Sequence, residues 1–319
     1  PAEVSTYAKQ QIEWMRDNQH RAIRFFIPGM DQYFAPLLPG QVCALIAQTS
    51  NYKSGFMHAW ERAVADQLER EARLDEVVVH VSVEESVEDQ AFLLFSQETG
   101  EDAGDIARGQ IQDWSKLHQA AIKVGTIPIY RIGDSLARAE DFPKLHVSNM
   151  VRSIKFLQDE LLGRKVKIAA LFFDYLQAFP FDDEHRMMGD KDSQRRLQVR
   201  SDIYRLRQTA AYFNAPVVVA VQAKQHLEGA PSKQFYLPGV FDGEESSSIA
   251  QRCDRVISLW MPKMNHSLGE VIDYKNMVFT VRENLLWVKV CKQRGRLPAG
   301  RSWPCLIDFN LNRILVEAE

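Results

Sequence analysis

The residues of this 319-residue chain best suited to chemistry are Lys53 and Ser54. They follow an apolar run at 42–47 and a short stretch, Gln48-Thr49-Ser50-Asn51-Tyr52. A helical pattern then runs over 56–74, with Phe56, Trp60, Ala63, Val64 and Leu68 apolar. Strand, loop, Lys-Ser, helix is the layout of the phosphate-binding pattern G-x-x-x-x-G-K-[ST]. In that pattern the lysine ammonium meets the β- and γ-phosphates and the hydroxyl meets Mg²⁺. Backbone N–H groups of the loop and of the helix start hold the phosphates. Here the loop has the right length and the right Lys-Ser, but Ala47 and Tyr52 stand where the pattern has its glycines. Taken alone, Lys53-Ser54 reads better as a solvated helix start.

Three more apolar runs end in polar groups of matching chemistry. The β-branched run at 77–83 leads into Glu84-Glu85, the run at 168–173 ends in Asp174, and the run at 217–221 ends in Gln222. Asp174 would hold Mg²⁺ directly or through a water. One of Glu84 and Glu85 would orient or deprotonate an attacking water, and spacing does not choose between them. Gln222 would sense the γ-phosphate. Each has a plainer counterpart, an acid that caps the next turn or a polar strand end. Near the C-terminus, Lys292-Gln293-Arg294 follows the run at 286–291. Two cations there could reach a neighbour's γ-phosphate as trans-acting fingers, or form a solvated basic turn. The basic side chains within 186–207 are interleaved with acids and read equally well as a solvated helix face.

The elements that position these groups alternate. Helical patterns at about 87–96, 111–124, 150–162 and 199–213 separate the apolar strands, and 127–132 reads as an edge strand because Pro128 cannot donate to a ladder. Such alternation predicts an α/β fold with a mostly parallel twisted sheet flanked by helices. Residues 278–281 and 286–291 alternate around Glu283-Asn284, predicting a C-terminal β-hairpin. Ligands of such sheets bind at the carboxyl ends of the strands, where Lys53-Ser54, Glu84, Asp174 and Gln222 all fall. That convergence outweighs the missing glycines. Residues 1–24 form a separate helical segment, with Val4, Ala8, Ile12 and Met15 as an apolar stripe suited to its own domain or to a neighbouring subunit. The second unit is 25–319.

Composition narrows the setting. A net charge of -3 gives no global attraction to nucleic acid or an anionic membrane, so a basic surface must be local. Four widely spaced cysteines without a C-x-x-C pair suggest buried reduced thiols and a cytoplasmic protein. No apolar run approaches the roughly 18 residues of a membrane span, and the charged N-terminus is unlike a signal peptide.

The order of motifs resembles the RecA-like ATPase domain of replicative hexameric helicases of the DnaB type. The matching residues begin with Ile27-Pro28-Gly29-Met30-Asp31, Leu38-Pro39-Gly40-Gln41, the loop 47–54 and Ser82-Val83-Glu84-Glu85-Ser86. They continue with Ile127-Pro128-Ile129-Tyr130, Asp174-Tyr175-Leu176-Gln177, Ala215-Pro216-Val217-Val218 and Gln222. Ser246-Ser247-Ser248-Ile249-Ala250-Gln251, Asp254 and Lys292-Gln293-Arg294 complete the series, which covers about residue 20 to the end. The resemblance implies a P-loop NTPase that binds ATP and Mg²⁺ through Ala47, Gln48, Thr49, Ser50, Asn51, Tyr52, Lys53 and Ser54. It makes Glu84 the catalytic glutamate, Asp174 the Walker B acid, and Lys292 and Arg294 groups that act on the ATP of the adjacent subunit. It further implies a homo-oligomeric ring, a hexamer in the family, around single-stranded DNA, with a primase or loader as partner. Loops at roughly 179–193 and 223–247 would line the channel, and Lys224 and Lys233 are the phosphate contacts available in the second.

Three departures accompany it. Tyr52 occupies the glycine position before Lys53, and Asn51, which tolerates positive φ, is expected to supply the backbone angle instead. The N-terminal helical domain of the family is not in this sequence. The central loops are not obviously basic. The expected function is thus an ATP-dependent DNA helicase or translocase. The alternatives are a RecA-fold nucleotide-binding or scaffold protein with weak or no turnover, and a recombinase-like or clock-like ATPase without unwinding.

Overall fold

The computed structural model describes all residues except 1, 84, 112, 134–146, 164, 179–190, 225–234, 244–246, 275–276, 296 and 318–319. In chain order the helices are α1 Ala2–Asn18, α2 Lys53–Arg70, α3 Val87–Thr99, α4 Ala103–Ala107, α5 Trp114–Val124, α6 Val147–Phe156, α7 Lys191–Tyr212 and α8 Ser247–Arg252. The strands are β1 Val42–Ala47, β2 Glu76–Ser82, β3 Ile129–Ile132, β4 Lys167–Asp174, β5 Val217–Gln222, β6 Arg255–Trp260, β7 Val271–Tyr274, β8 Met277–Thr280, β9 Leu285–Gln293, β10 Ser302–Asp308 and β11 Arg313–Val316.

Nine strands form one sheet in the order β11-β10-β9-β6-β1-β5-β4-β2-β3. From β6 to β3 the neighbours are parallel; β9, β10 and β11 are added antiparallel. The central strands are apolar on both faces because both faces are covered. Along β1, Val42, Ala44 and Ile46 join the core under α6 and α7, while Cys43, Leu45 and Ala47 join the core under α2. The α2 side carries Phe56, Trp60, Val64 and Leu68, and the Trp60 indole N–H donates to the Arg24 carbonyl at 2.9 Å. The opposite side carries Val199, Ile203, Leu206 and Ala210 of α7, the four-three spacing expected from the sequence. β3 is the edge strand that Pro128 predicts.

Several boundaries differ from the sequence reading. The helix expected at 111–124 starts at Trp114 because the Asp113 carboxylate caps it, accepting from the Ser115 and Lys116 amides. Asp102 caps the separate short helix α4 in the same way. The helix expected at 150–162 begins at Val147 and widens into a π-helical turn over Leu157–Leu162. Lys191, expected in a loop, already belongs to α7, and most of the loops at 179–193 and 223–247 lies outside the described residues. The hairpin expected around Glu283-Asn284 does not form: β8 pairs with β7, and β9 pairs with β6 and β10. Phe279 of β8 packs with Phe235, Trp260 and Trp287, so aromatic burial decides that segment's partner. The C-terminal hairpin of the fold is instead β10–β11. Cys43, Cys253 and Cys305 are buried thiols and Cys291 is half-buried; burial pushes Cys253 and Cys305 up to about 12. Among the described residues, no helix is long and apolar enough to cross a membrane.

Candidate functional site

Parallel register brings the expected groups to one edge. Ala47 at the end of β1 sits opposite Gln222 at the end of β5, and Ser82 at the end of β2 sits opposite Asp174 at the end of β4. Beyond these ends opens a cavity of about 870 Å³ whose walls include Thr49, Lys53, Ser54, Glu85, Gln222 and Lys224. The Lys53 ammonium donates to Gln222 Oε1 at 2.8 Å and lies 4.9 Å from the centroid of the Tyr175 ring. Gln222 Nε2 donates to the Thr49 hydroxyl at 2.6 Å, so one glutamine ties the loop to the lysine. Gln177 holds the Gln222 backbone at both groups, accepting from its N–H at 3.0 Å and donating to its carbonyl at 3.2 Å.

The loop reaches its shape by an unexpected route. Ser50 and Tyr52 are left-handed, with φ of 61° and 63°, and Asn51 is not among the positive-φ residues. Asn51 instead pins the loop: its Oδ1 accepts from the Met261 amide at 2.7 Å and its Nδ2 donates to the Thr49 carbonyl at 3.0 Å. A left-handed tyrosine costs roughly 1–2 kcal/mol, so surrounding contacts must hold it. The Tyr52 hydroxyl donates to Asn312 Oδ1, and Asn312 Nδ2 donates to the Gly55 carbonyl at 3.0 Å. The ring meets Phe309 edge-on at 5.7 Å between centroids. It also fills the space over Gly55, where a Cβ would stand 2.5 Å from the ring carbons. Burial, then the Asp308 charge, push the phenol well above its usual range, which keeps it a donor.

α2 begins at Lys53, and among the described residues no side chain caps its first turn. Residues 53–55 line the cavity, so a helix N-terminus and the Gln222-bonded Lys53 ammonium lie at its wall, a setting that suits an anion. Asp174 is buried, and its Oδ1 has no hydrogen-bond partner among the described residues. A buried carboxylate oxygen in that state calls for a proton, a water or a cation. Together with the Ser54 hydroxyl, this donor set fits a magnesium–nucleotide.

Of the two glutamates, Glu84 lies outside the described residues. Glu85 stands on the cavity wall, with Oε2 3.0 Å from His58 Nε2. Burial raises its carboxyl, but the hydrogen bond and charge of His58 outweigh this and hold it below the usual range. Capping of α3 falls to Ser86, whose hydroxyl accepts from the Asp89 amide. Lys224 is at the cavity rim, where Gln48 Nε2 donates to its carbonyl at 3.1 Å; Lys233 is outside the described residues.

Lys292 and Arg294 are not brought to this cavity. β9 runs antiparallel to β6, with Gln293 opposite Arg255, so both cations sit at the amino edge of the parallel strands. Lys292 Nζ donates to the Cys253 carbonyl at 2.7 Å, and Arg294 Nη1 lies 3.3 Å from Asp254 Oδ1. Burial, then the Arg294 charge, hold the Lys292 ammonium below its ordinary value.

Sequence reasoning assigned no role to Tyr175, Gln177, Asn312 or His58. Tyr175 and Gln177 carry a signal, since they follow Asp174 directly. Asn312 carries none, because 260 residues separate it from Tyr52.

Comparison with known proteins speaks to the family and the fold. The family model described as "DnaB-like helicase C terminal domain" matches residues 24–295. Comparison with curated proteins gives no match. One similar solved structure is a DnaB-like replicative helicase, reported with its interactions with primase, at TM-score 0.68 and 17% identity. That alignment covers 92% of this chain but 63% of the helicase, so this chain spans less than two thirds of that protein's length. Another is the ATPase domain of G40P, at TM-score 0.72 and 17% identity, covering 98% of this chain and 97% of that one. The fold is thus that of a RecA-like ATPase domain, and with a family model matched over most of its length the chain belongs to the DnaB-like helicase C-terminal domain family.

Proposed function

We propose that this chain is the motor domain of an ATP-dependent DNA helicase or translocase, acting on single-stranded DNA as a ring and hydrolysing ATP between subunits. The observation that carries this reading is the meeting of Lys53, Ser54 and Gln222 at one cavity, with the buried Asp174, whose Oδ1 has no partner among the described residues, at the end of β4. On this reading Lys53 and the start of α2 bind the nucleotide phosphates, and Ser54 and Asp174 hold Mg²⁺. The bound metal would offset phosphate charge. Gln222, bonded to both Lys53 and Thr49, registers whether the lysine has turned to a phosphate. Glu84 is the proposed catalytic glutamate.

Arg294 and Lys292, on the far edge, act on the nucleotide of an adjacent copy, and Lys224 and Lys233 contact DNA phosphates. The helical segment 1–24 links or docks to a neighbouring subunit, and a primase or loader is a partner; Val4, Tyr7 and Ile12 of α1 are exposed. ATP hydrolysis measured with and without single-stranded DNA tests the reading. Turnover that DNA stimulates, and that Lys53→Ala and Glu84→Gln abolish, is expected. Absence of both turnover and nucleotide binding would sink it. Tyr52 favours a second reading, a nucleotide-binding scaffold, because its ring and the Asn312 bond fix the loop in one shape. Tight nucleotide binding without turnover would select that one.

A further inference from the structure

Behind the cavity wall lies a buried set of ionisable groups. His58 and Glu61 stand one turn apart on α2, His80 is in the middle of β2, and Arg131 is on β3. His58 Nδ1 lies 3.5 Å from Glu61 Oε2, and Arg131 Nη1 lies 3.4 Å from the same oxygen. His80 Nδ1 contacts the other carboxylate oxygen, and the two imidazoles stack with centroids 5.1 Å apart. On its opposite side His58 Nε2 meets Glu85 Oε2 at 3.0 Å. The loop carrying Glu85 is tied down further. Ser82 Oγ accepts from the Glu85 amide at 3.1 Å, and Gln90 Nε2 donates to the Glu85 carbonyl at 3.1 Å. Gln90 Oε1 in turn accepts from Arg131 at 2.7 Å, which closes the circuit from β3 back to the cavity wall.

A carboxylate as buried as Glu61 is costly unless cations surround it. Burial would raise its carboxyl, but His80, His58 and Arg131 hold it well below the usual range. Burial would lower His58, yet Glu61 and Glu85 raise it to about 9. As an imidazolium, His58 carries a donor on each ring nitrogen: Nε2 bonds Glu85, and Nδ1 faces Glu61 at ion-pair distance without a hydrogen bond, so the ring stands between the two carboxylates. We propose that His58 is a positioning residue of the phosphate site: set between Glu61 and Glu85, it fixes the Glu85 carboxylate on the cavity wall and links it to the edge strand. This rests on the functional reading above, which places ATP in that cavity.

The ligand atoms of His58, Glu61 and His80 also lie within 4.8 Å of one another, a spacing that a divalent cation could use. Arg131 argues for a proton instead, because its guanidinium already sits beside the Glu61 oxygen and would repel a dication. The charged and titratable groups facing His58 are Glu61 from its own helix, His80 from β2, Glu85 from the following loop and Arg131 from β3. The bridge is complete below the free imidazole value near 6.5 and is lost as pH rises through about 9.

The test compares the unsubstituted protein, His58→Gln and Glu85→Gln in steady-state ATP hydrolysis over about pH 6 to 10. Each variant is expected to lower kcat about tenfold with KM within about twofold, and to lose the alkaline limb near pH 9. The double variant is expected to be no worse than either single one. Glu85→Gln removes the same contact from the less buried partner, should His58→Gln fail to fold. Unchanged kcat with an intact limb, a reduced kcat whose limb stays in place, or one equivalent of zinc in the purified protein would overturn the proposal. Absence of turnover in the unsubstituted protein would overturn the functional reading and this proposal together; turnover indifferent to His58→Gln overturns this proposal alone.

Discussion

The two edges of the parallel sheet are built differently. At the carboxyl edge, polar side chains bond mainly to one another around an open cavity: Thr49 to Gln222, Gln222 to Lys53, and Gln177 to the Gln222 backbone. At the amino edge, cations are backed by fixed main chain. The Lys292 ammonium rests on the Cys253 carbonyl, and the Arg294 amide donates to the Asp254 carbonyl at 2.9 Å. Asp254 is itself locked to β1, its Oδ2 accepting from the Val42 amide at 2.9 Å. The six residues of β1 separate the edges by about 16 Å at ordinary strand rise. Within one chain this strand keeps Lys53 and Gln222 apart from Lys292 and Arg294. The difference teaches how, on the proposed reading, one copy would carry two half-sites that are unable to meet and that a second copy would complete.

The sharpest way to break that comparison is Arg294→Ala. Turnover should fall about 1,000-fold while nucleotide affinity stays unchanged; lost affinity, read by equilibrium binding of a fluorescent nucleotide, would place Arg294 in its own chain's site. Lys53→Ala should lower turnover about 100-fold and also weaken nucleotide binding if, as proposed, it acts in the cavity of its own chain. Mixing the two inactive proteins supplies the division of labour directly. Junctions pairing an intact Lys53 with an intact Arg294 should restore part of the turnover, and a mixture that stays as inactive as its components contradicts the two-edge account. The smallest effect is expected at the loop itself. Tyr52→Phe should cost about 1 kcal/mol in denaturant unfolding by removing the hydroxyl donor to Asn312. A neutral result would mean that ring packing alone holds the left-handed residue.

The strand ends were legible in the sequence because a strand buried on both faces is a continuous apolar run, and its first polar residue marks the edge. Asp174 and Gln222 announced themselves in this way, and Pro128 announced the edge strand. His80 was also legible and was passed over: a titratable group amid valines must have a buried partner, and Glu61 three residues after His58 on α2 was there to supply it. Segments decided by distant packing left no local trace. Alternation around Glu283-Asn284 is the same whether β9 pairs with β8 or with β6, and the pairing goes with the aromatic cluster around Trp260, Phe279 and Trp287. The angle at residue 52 was assigned to Asn51 on propensity, whereas contacts from residues 309 and 312 impose it on Tyr52.

Tyr52 and Gly55 have in effect exchanged volumes. Gly55→Ala would drive a methyl into the ring at 2.5 Å, whereas Tyr52→Gly would empty a ring-sized space beside Phe309 and leave Asn312 without its donor. Each single step is therefore uphill, even though residue 52 alone would relax its backbone as glycine. Restoring the pattern's glycine at 52 must therefore pass through a less stable form unless position 55 changes with it. What looks like decay of a motif is a second local optimum, isolated in sequence space by the side chain that fills it.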